Sequence, residues 1–236
     1  MFIENHKLNV DAVIFDLDGT LIDSAPVYHR IIDTALARLD VPPVSKETLA
    51  EAMKDGGLNW DLVLPQSAKY SPEALKSKAL GVIDEISGPM LREELTLVSG
   101  AAEMLHQIDA KGMKLGLVTS TPKKNMVLKL APLRKAGFDN LFKAVITSDD
   151  IRNKKPHAEP LVMCGQKLGV PADRCVYVGD TRVDIRAGKA AGMKTIGVLT
   201  GFDVYDTLQN ETPDAIIDSI VHLMEAIIQL SAPNRS

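Results

Sequence analysis

The sequence predicts an α/β protein with a doubly wound parallel sheet, and three observations predict it. After Ser99, apolar runs near 114–119, 144–147, 175–178, 195–199 and 214–217 alternate with helical patterns. Strands separated by helices of roughly 10–15 residues build parallel βαβ units with right-handed crossovers. An earlier run, Val13-Ile14-Phe15, has the same β-branched and aromatic character and stops abruptly on Asp16. Between Asp23 and about Thr96 there is no strand signal, so an all-helical block interrupts the sheet after its first strand.

The elements follow in order. Asp23-Ser24-Ala25-Pro26 is a helix start, with Pro26 suited to the first turn, and the pattern over 27–39 stops at Asp40-Val41-Pro42-Pro43. Ser45 caps a second helix through about 54, ended by Asp55-Gly56-Gly57, and 60–68 reads as a third. Ser71-Pro72-Glu73 opens a fourth, with Leu75, Ala79, Val82, Ile83 and Ile86 at helical spacing; Gly88-Pro89 is expected to break or kink it. Beyond Ser99, helices are expected over 101–110, from about 122 with an interruption near Pro132, over 158–168, 182–191 and 204–208, and last to about 230. Residues 231–236 should fray. This pattern divides the chain into a Rossmann-like core, 1–22 with 97–236, and a helical cap, 23–96. Inserted directly after the first strand, the cap should sit over the carboxyl ends of the strands, where open α/β sheets bind ligands, as a lid.

Composition bounds the function. The 236 residues suffice for a core plus a smaller insert, and 45% hydrophobic with 25% charged residues is ordinary for a globular protein. A net charge of −4 gives no general attraction to nucleic acid or anionic membrane, and no stretch approaches a membrane span. The N-terminal residues lack the basic-then-apolar order of a secretory signal. Cys164 and Cys175 lie in different elements without metal-binding spacing and are expected to be reduced thiols. The expected compartment is the cytoplasm, and monomer and dimer are equally open.

Four stretches carry chemistry. In Asp16-Leu17-Asp18-Gly19-Thr20 the two acids project to the same side of an extended chain, and Gly19 allows the sharp turn that follows. Val118-Thr119-Ser120-Thr121-Pro122 puts hydroxyls at a strand end, with Thr121 as N-cap and free N–H groups as an anion seat. In Asn153-Lys154-Lys155-Pro156-His157, Pro156 stiffens the chain beyond Lys155, while Lys154 reads as solvated and His157 as an incidental imidazole. In Gly179-Asp180-Thr181-Arg182-Val183-Asp184 the two acids lie about one helical turn apart. Taken singly, capping explains Thr121 and the helix dipole explains Asp184. Taken together, Asp16, Asp18, Asp180 and Asp184 bring up to four negative charges to one mouth against one from Lys155. Such a mouth takes a phosphate dianion only with a divalent cation, and hard oxygen donors suit Mg²⁺.

With these motifs in this order, the chain resembles the haloacid dehalogenase superfamily over nearly its full length. The cap immediately after the first motif resembles the phosphoglycolate phosphatase and β-phosphoglucomutase branch. The resemblance implies an Mg²⁺-dependent phosphatase of small phosphorylated metabolites. Asp16 would be the nucleophile forming an aspartyl-phosphate, and Asp18 the general acid and base. Metal ligands would be Asp16, Asp180 and the backbone carbonyl of Asp18, with Asp184 outside them holding metal waters or Lys155. Thr119, Ser120 and Lys155 would bind the phosphoryl oxygens. Asp18 argues against dehalogenases and phosphonate-cleaving relatives, which lack this second acid. Where β-phosphoglucomutases carry a cap Arg, Gly57-Leu58-Asn59-Trp60 offers Trp60, read as part of the cap's own core. A phosphomutase or an inorganic pyrophosphatase is the alternative on this scaffold. Lys54, Asn59 and Tyr28 are the cap side chains named for substrate contact.

Overall fold

Strand β1 (Ala12–Phe15) lies at the centre of the sheet and is buried along its whole length. The computed structural model describes residues 9–53, 58–64, 71–138 and 140–231. The other strands are β2 (Lys114–Val118), β3 (Phe142–Ile146), β4 (Cys175–Gly179), β5 (Lys194–Val198) and β6 (Ala215–Ile217). They form one six-stranded sheet of order β3-β2-β1-β4-β5-β6, and each neighbouring pair is parallel. The chain therefore winds outward in one direction from β1 to β3 and in the other from β4 to β6. The reversal falls between β1 and β4, the point at which open α/β sheets form a ligand crevice beyond the strand ends.

Alternation along β1 feeds two apolar layers. Val13 and Phe15 pack on one face of the sheet with α5 (Ala101–Ala110) and α11 (Leu223–Ser231), through Leu105, Ile108, Leu223 and Ile227. Ala12 and Ile14 pack on the other with Leu161, Cys164 and Leu168 of α8 (Glu159–Leu168). The remaining core helices are α6 (Lys123–Lys129), α7 (Ala131–Lys135), α9 (Arg182–Ala190) and α10 (Tyr205–Asn210). Cys164 and Cys175 are both free and buried, and burial first of all pushes their thiols up, to about 12 and about 11.

Between β1 and β2 lie α1 (Ala25–Ala37), α2 (Lys46–Met53), α3 (Trp60–Val63) and α4 (Pro72–Glu94). They have an apolar cluster of their own, Ile32, Leu36, Leu49, Ala52 and Val63, against which Trp60 packs. Trp60 is thus a core residue of the insert, as its sequence context implies. The two connections between insert and sheet run side by side. Ile22 bridges Leu97, Asp23 N–H donates to Thr96 O at 3.0 Å, and Val98 N–H donates to Leu21 O at 2.9 Å.

Three expectations need correction. Of the break or kink expected at Gly88-Pro89, the break does not occur: helix α4 runs on to Glu94 with Pro89 inside it. Ile86 and Leu91, buried on either side of Pro89, hold both halves against the core and outweigh the roughly 3 kcal/mol a helix-interior proline costs. Helix α6 starts at Lys123 with Pro122 at the cap position, so Thr121 is not its N-cap. The Lys123 N–H donates to Asp149 Oδ2 at 2.6 Å and the Thr121 N–H to Thr119 Oγ1 at 3.1 Å, so these two N–H groups are not open to an anion. The third helix, expected over 60–68, ends at Val63, with Leu64 already extended. The predicted end of the second helix, with Lys54, and the tail beyond Ser231 lie outside the described residues. No helix among the described residues is long and apolar enough to cross a membrane.

Candidate active site

Asp16 follows β1 directly, and its N–H continues the pairing with β4 by donating to Val178 O at 2.9 Å. This fixes its carboxylate at the crevice, where Lys155 Nζ lies 2.6 Å from Asp16 Oδ1. The same ammonium is 2.6 Å from Asp184 Oδ1 and 3.1 Å from the Tyr177 hydroxyl, which itself donates to Asp184 Oδ1 at 2.9 Å. The Lys155 side chain is only 6% exposed. Burial works against its charge, but Asp16 and Asp184 overcome this and hold the ammonium's pKa well above its ordinary value. Lys154 and His157 are exposed, and His157 Nδ1 merely accepts the Glu159 N–H at 3.1 Å.

Asp184 sits at the third position of α9 in a capping box with Thr181. Thr181 donates both its hydroxyl and its N–H to Asp184 Oδ2, at 2.5 and 3.1 Å. With Lys155 and Tyr177 on Oδ1, the four lone-pair sites of this carboxylate are filled. Asp184 is a buried post for Lys155, and capping and function are the same contact.

Asp180 is fully buried, the residue next after β4. Thr20 Oγ1 donates to Oδ1 at 3.1 Å and the Phe202 N–H to Oδ2 at 2.9 Å. Two glycines make room for it. Gly19 has φ +82°, and at both Gly19 and Gly201 a Cβ would overlap the Asp180 carboxylate. Gly201→Ala is therefore expected to displace Asp180 and to weaken Mg²⁺ binding by about 10–100-fold, measured by titrating the cation calorimetrically.

Asp16, Asp180 and Asp184 each offer an oxygen within 4.8 Å of the others. Burial raises the Asp16 carboxyl to about 7, with Lys155 opposing and Asp184 adding to the rise. Burial, then Asp184 and Asp16, raise Asp180 well above the usual carboxylate range. Clustered, desolvated carboxylates with raised pKa values are what a hard divalent cation relieves. The donor chemistry fits Mg²⁺, with lone pairs left on Asp16 and Asp180 and none on Asp184.

Asp18 turns its side chain elsewhere. Thr121 Oγ1 donates to Asp18 Oδ2 at 3.1 Å, and Lys129 Nζ pairs with Asp18 Oδ1. Lys129 also lies over the Tyr28 ring, 4.2 Å from its centroid. Lys129 is a second buried cation that the sequence reading passed over, so the acids of this mouth are opposed by two ammonium groups and not one. Its signal was its register, three residues after Met126, which is buried on the same helix. Tyr177 and Phe202 were also missed, the first within a strand and the second in a loop that only the fold brings back to Asp180.

Asp16, Asp18, Thr119, Ser120, Lys155, Asp180 and Asp184 all line one cavity of about 460 Å³, closed on the other side by Tyr28, Ile83 and Leu91 of the insert. Thr119 is buried and its hydroxyl accepts the Thr121 N–H at 3.1 Å; Ser120 is exposed. Asn59 is not part of this wall, since its side chain caps α3 by accepting the Asp61 N–H at 3.1 Å.

A model of the haloacid dehalogenase-like hydrolases matches residues 13–198. The chain belongs to that family. This haloacid dehalogenase-like hydrolase is 32% identical over 240 residues to a phosphoglycolate phosphatase of Salmonella typhimurium, with 93% of each chain covered. It is 31% identical over 240 residues to the phosphoglycolate phosphatase of Escherichia coli K12, again with 93% of each covered. A Haemophilus somnus protein described as a predicted phosphoglycolate phosphatase superposes with a TM-score of 0.78 at 24% identity, over 92% of this chain and 97% of that one. A Thermotoga maritima protein assigned as a β-phosphoglucomutase gives 0.70 at 22%, over 94% and 100%. At those identities the two structures speak for the fold alone. The curated relatives, similar along nearly the whole chain, make this hydrolase a phosphatase.

Proposed function

We propose that the chain is a magnesium-dependent phosphatase of small phosphorylated metabolites, phosphoglycolate-like in preference, that passes the phosphoryl group through Asp16. One observation carries this reading: Lys155 joins Asp16 to Asp184 while Asp180 lies beside them, so one anion and one cation can share the crevice. Residues 1–22 and 97–236 act as the catalytic core and 23–96 as a lid over it. The paired segments at Ile22 and Leu97 serve as the hinge. We place the enzyme in the cytoplasm, where its free thiols stay reduced.

Asp16 and Asp180, with the Asp18 carbonyl, would hold Mg²⁺, which supplies charge neutralisation for the incoming phosphate and its transition state. An Asp16 carboxylate oxygen attacks phosphorus, and the bond to the ester oxygen breaks. Asp18 gives its proton to the departing alkoxide. It then takes a proton from a water molecule that attacks the aspartyl-phosphate, releasing orthophosphate and restoring Asp16. Lys155 holds a phosphoryl oxygen through both steps, with the Thr119 hydroxyl and the Ser120 backbone N–H on the other side. Asp184 and Tyr177 hold Lys155 in place.

The test is a panel of phosphomonoesters at fixed Mg²⁺, with orthophosphate and remaining ester both quantified. One orthophosphate per ester consumed is expected, with kcat/KM highest for phosphoglycolate or a near analogue. Isomerised sugar phosphate without orthophosphate would replace this reading by a mutase, and pyrophosphate as the preferred substrate by a pyrophosphatase.

A further inference from the structure

Lys129 is a charge that the phosphoryl chemistry above leaves unused. Lys155 already serves Asp16 and Asp184, 2.6 Å from each. Lys129 ends α6 on the face that buries Met126, a position where an apolar side chain would pack at lower cost, and only 3% of its side chain is exposed. Its ammonium sits on the cavity wall, held by Asp18 Oδ1 and by the Tyr28 ring at 4.2 Å. An ammonium has three donors, more than one carboxylate oxygen and a ring face take up. The described part of the insert brings only neutral residues to this cavity, Tyr28, Met53, Ile83, Ser87 and Leu91 among them. Among the described lining residues Lys129 is thus the cation left for the part of a substrate that is not phosphate.

Its distance from the chemistry bounds what it can read. Asp18 must touch the ester oxygen to protonate it, and Lys129 touches Asp18. Two successive hydrogen bonds of about 3 Å each place the ammonium within reach of a carboxylate one or two carbons beyond the ester oxygen.

We infer that Lys129 selects the leaving group. It receives an anionic group, a carboxylate above all, on the alcohol side of the ester, so short phosphorylated hydroxy acids are preferred over phosphorylated sugars and neutral alcohols. This rests on the phosphatase reading of the same cavity.

The test compares phosphoglycolate with its neutral amide, for the wild type, Lys129→Met and Lys129→Arg. The wild type should favour the acid by about 100-fold in kcat/KM, Lys129→Met should bring the two esters within about 3-fold, and Lys129→Arg should keep the preference above about 10-fold. If Lys129→Met lowers both esters by one factor, the lysine only positions Asp18 and the inference is overturned. A wild type without preference for the acid overturns it whether or not the variants fold. A second arm measures binding, by calorimetry in Mg²⁺, of phosphonopropionate against propylphosphonate, which cannot be hydrolysed. The wild type should bind the carboxylate analogue at least about 10-fold more tightly, and Lys129→Met should erase the difference. That binding difference without orthophosphate from any ester would defeat the phosphatase reading and leave Lys129 as the anion reader. Turnover of both esters with neither difference would do the reverse.

Discussion

Asp16→Asn is expected to fold normally and to release orthophosphate at least about 10⁴-fold more slowly than the wild type. The substitution is isosteric. The amide oxygen of Asn can still accept from Lys155, and the backbone bond to Val178 O does not involve the side chain. What is lost is an oxygen able to form an acyl phosphate. The loss should not depend on the leaving group, because a nucleophile is required however readily the alkoxide departs. Nitrophenyl phosphate and alkyl phosphates should therefore be slowed alike. A defect that disappears with the nitrophenyl ester would assign Asp16 to proton transfer, and retained turnover of both would remove it from the reaction. Asp18→Asn supplies the contrast: with a good leaving group its first step needs no acid, so aspartyl-phosphate should form and then persist, visible as a burst of nitrophenol.

The parts of this site that could be read from the sequence are those whose chemistry is local. Two acids around Leu17 at the end of an apolar run, and Asp180 with Asp184 four residues apart, declare themselves by spacing. But β1 ends at Phe15 and α9 starts only at Arg182, so the regular periods did not foretell that Asp18 turns to Lys129 or that Asp180 stands outside the helix. Lys155 was separable from Lys154 through Pro156, and the structure buries the first and exposes the second. The alternation of strands and helices gave the sheet, since the period of each pattern is set within one element. Lys129 shows the limit. It follows Lys123 and Lys124 in a segment that looks solvated, and only its register with Met126 on the same helix sets it apart. Thr121 shows another: its hydroxyl could cap a helix or reach Asp18, and the choice was made by Asp149, a residue from the loop after β3. Gly88-Pro89 failed as a breaker for the same reason, because packing at Ile86 and Leu91 is a tertiary matter. Gly201 and Phe202 meet Asp180 only once β4 and β5 are paired.

Removing the metal should silence the enzyme and make the fold lose stability as pH rises. In chelator, orthophosphate release is expected to fall to background and to return on adding Mg²⁺; activity persisting in chelator would overturn the metal assignment. The stability argument is independent of turnover. A carboxyl raised in the folded state contributes stability below its unfolded pKa and loses it as pH climbs through the folded value. For Asp16 that window runs from 3.8 to about 7, worth on the order of 4 kcal/mol, and Asp180 acts in the same direction. Opposing groups dominate only at lower pH. Lys123 and Thr147 hold Asp150 below its ordinary value, Arg186 does so for Glu211, and Lys194 outweighs burial at Asp214. These carboxylates give stability above their unfolded values and surrender it as pH falls through the folded ones. The metal-free protein should therefore be most stable near pH 5 and lose about 10 °C in Tm by pH 8. Saturating Mg²⁺ should flatten that fall, because the cation favours the ionised acids that burial opposes. Asp16→Asn, which has no charge to bury, should flatten part of it without metal. A metal-free Tm that rises steadily from pH 5 to pH 8 would mean that Asp16 and Asp180 ionise at no cost in the folded protein, and the desolvated acid cluster would lose its physical basis.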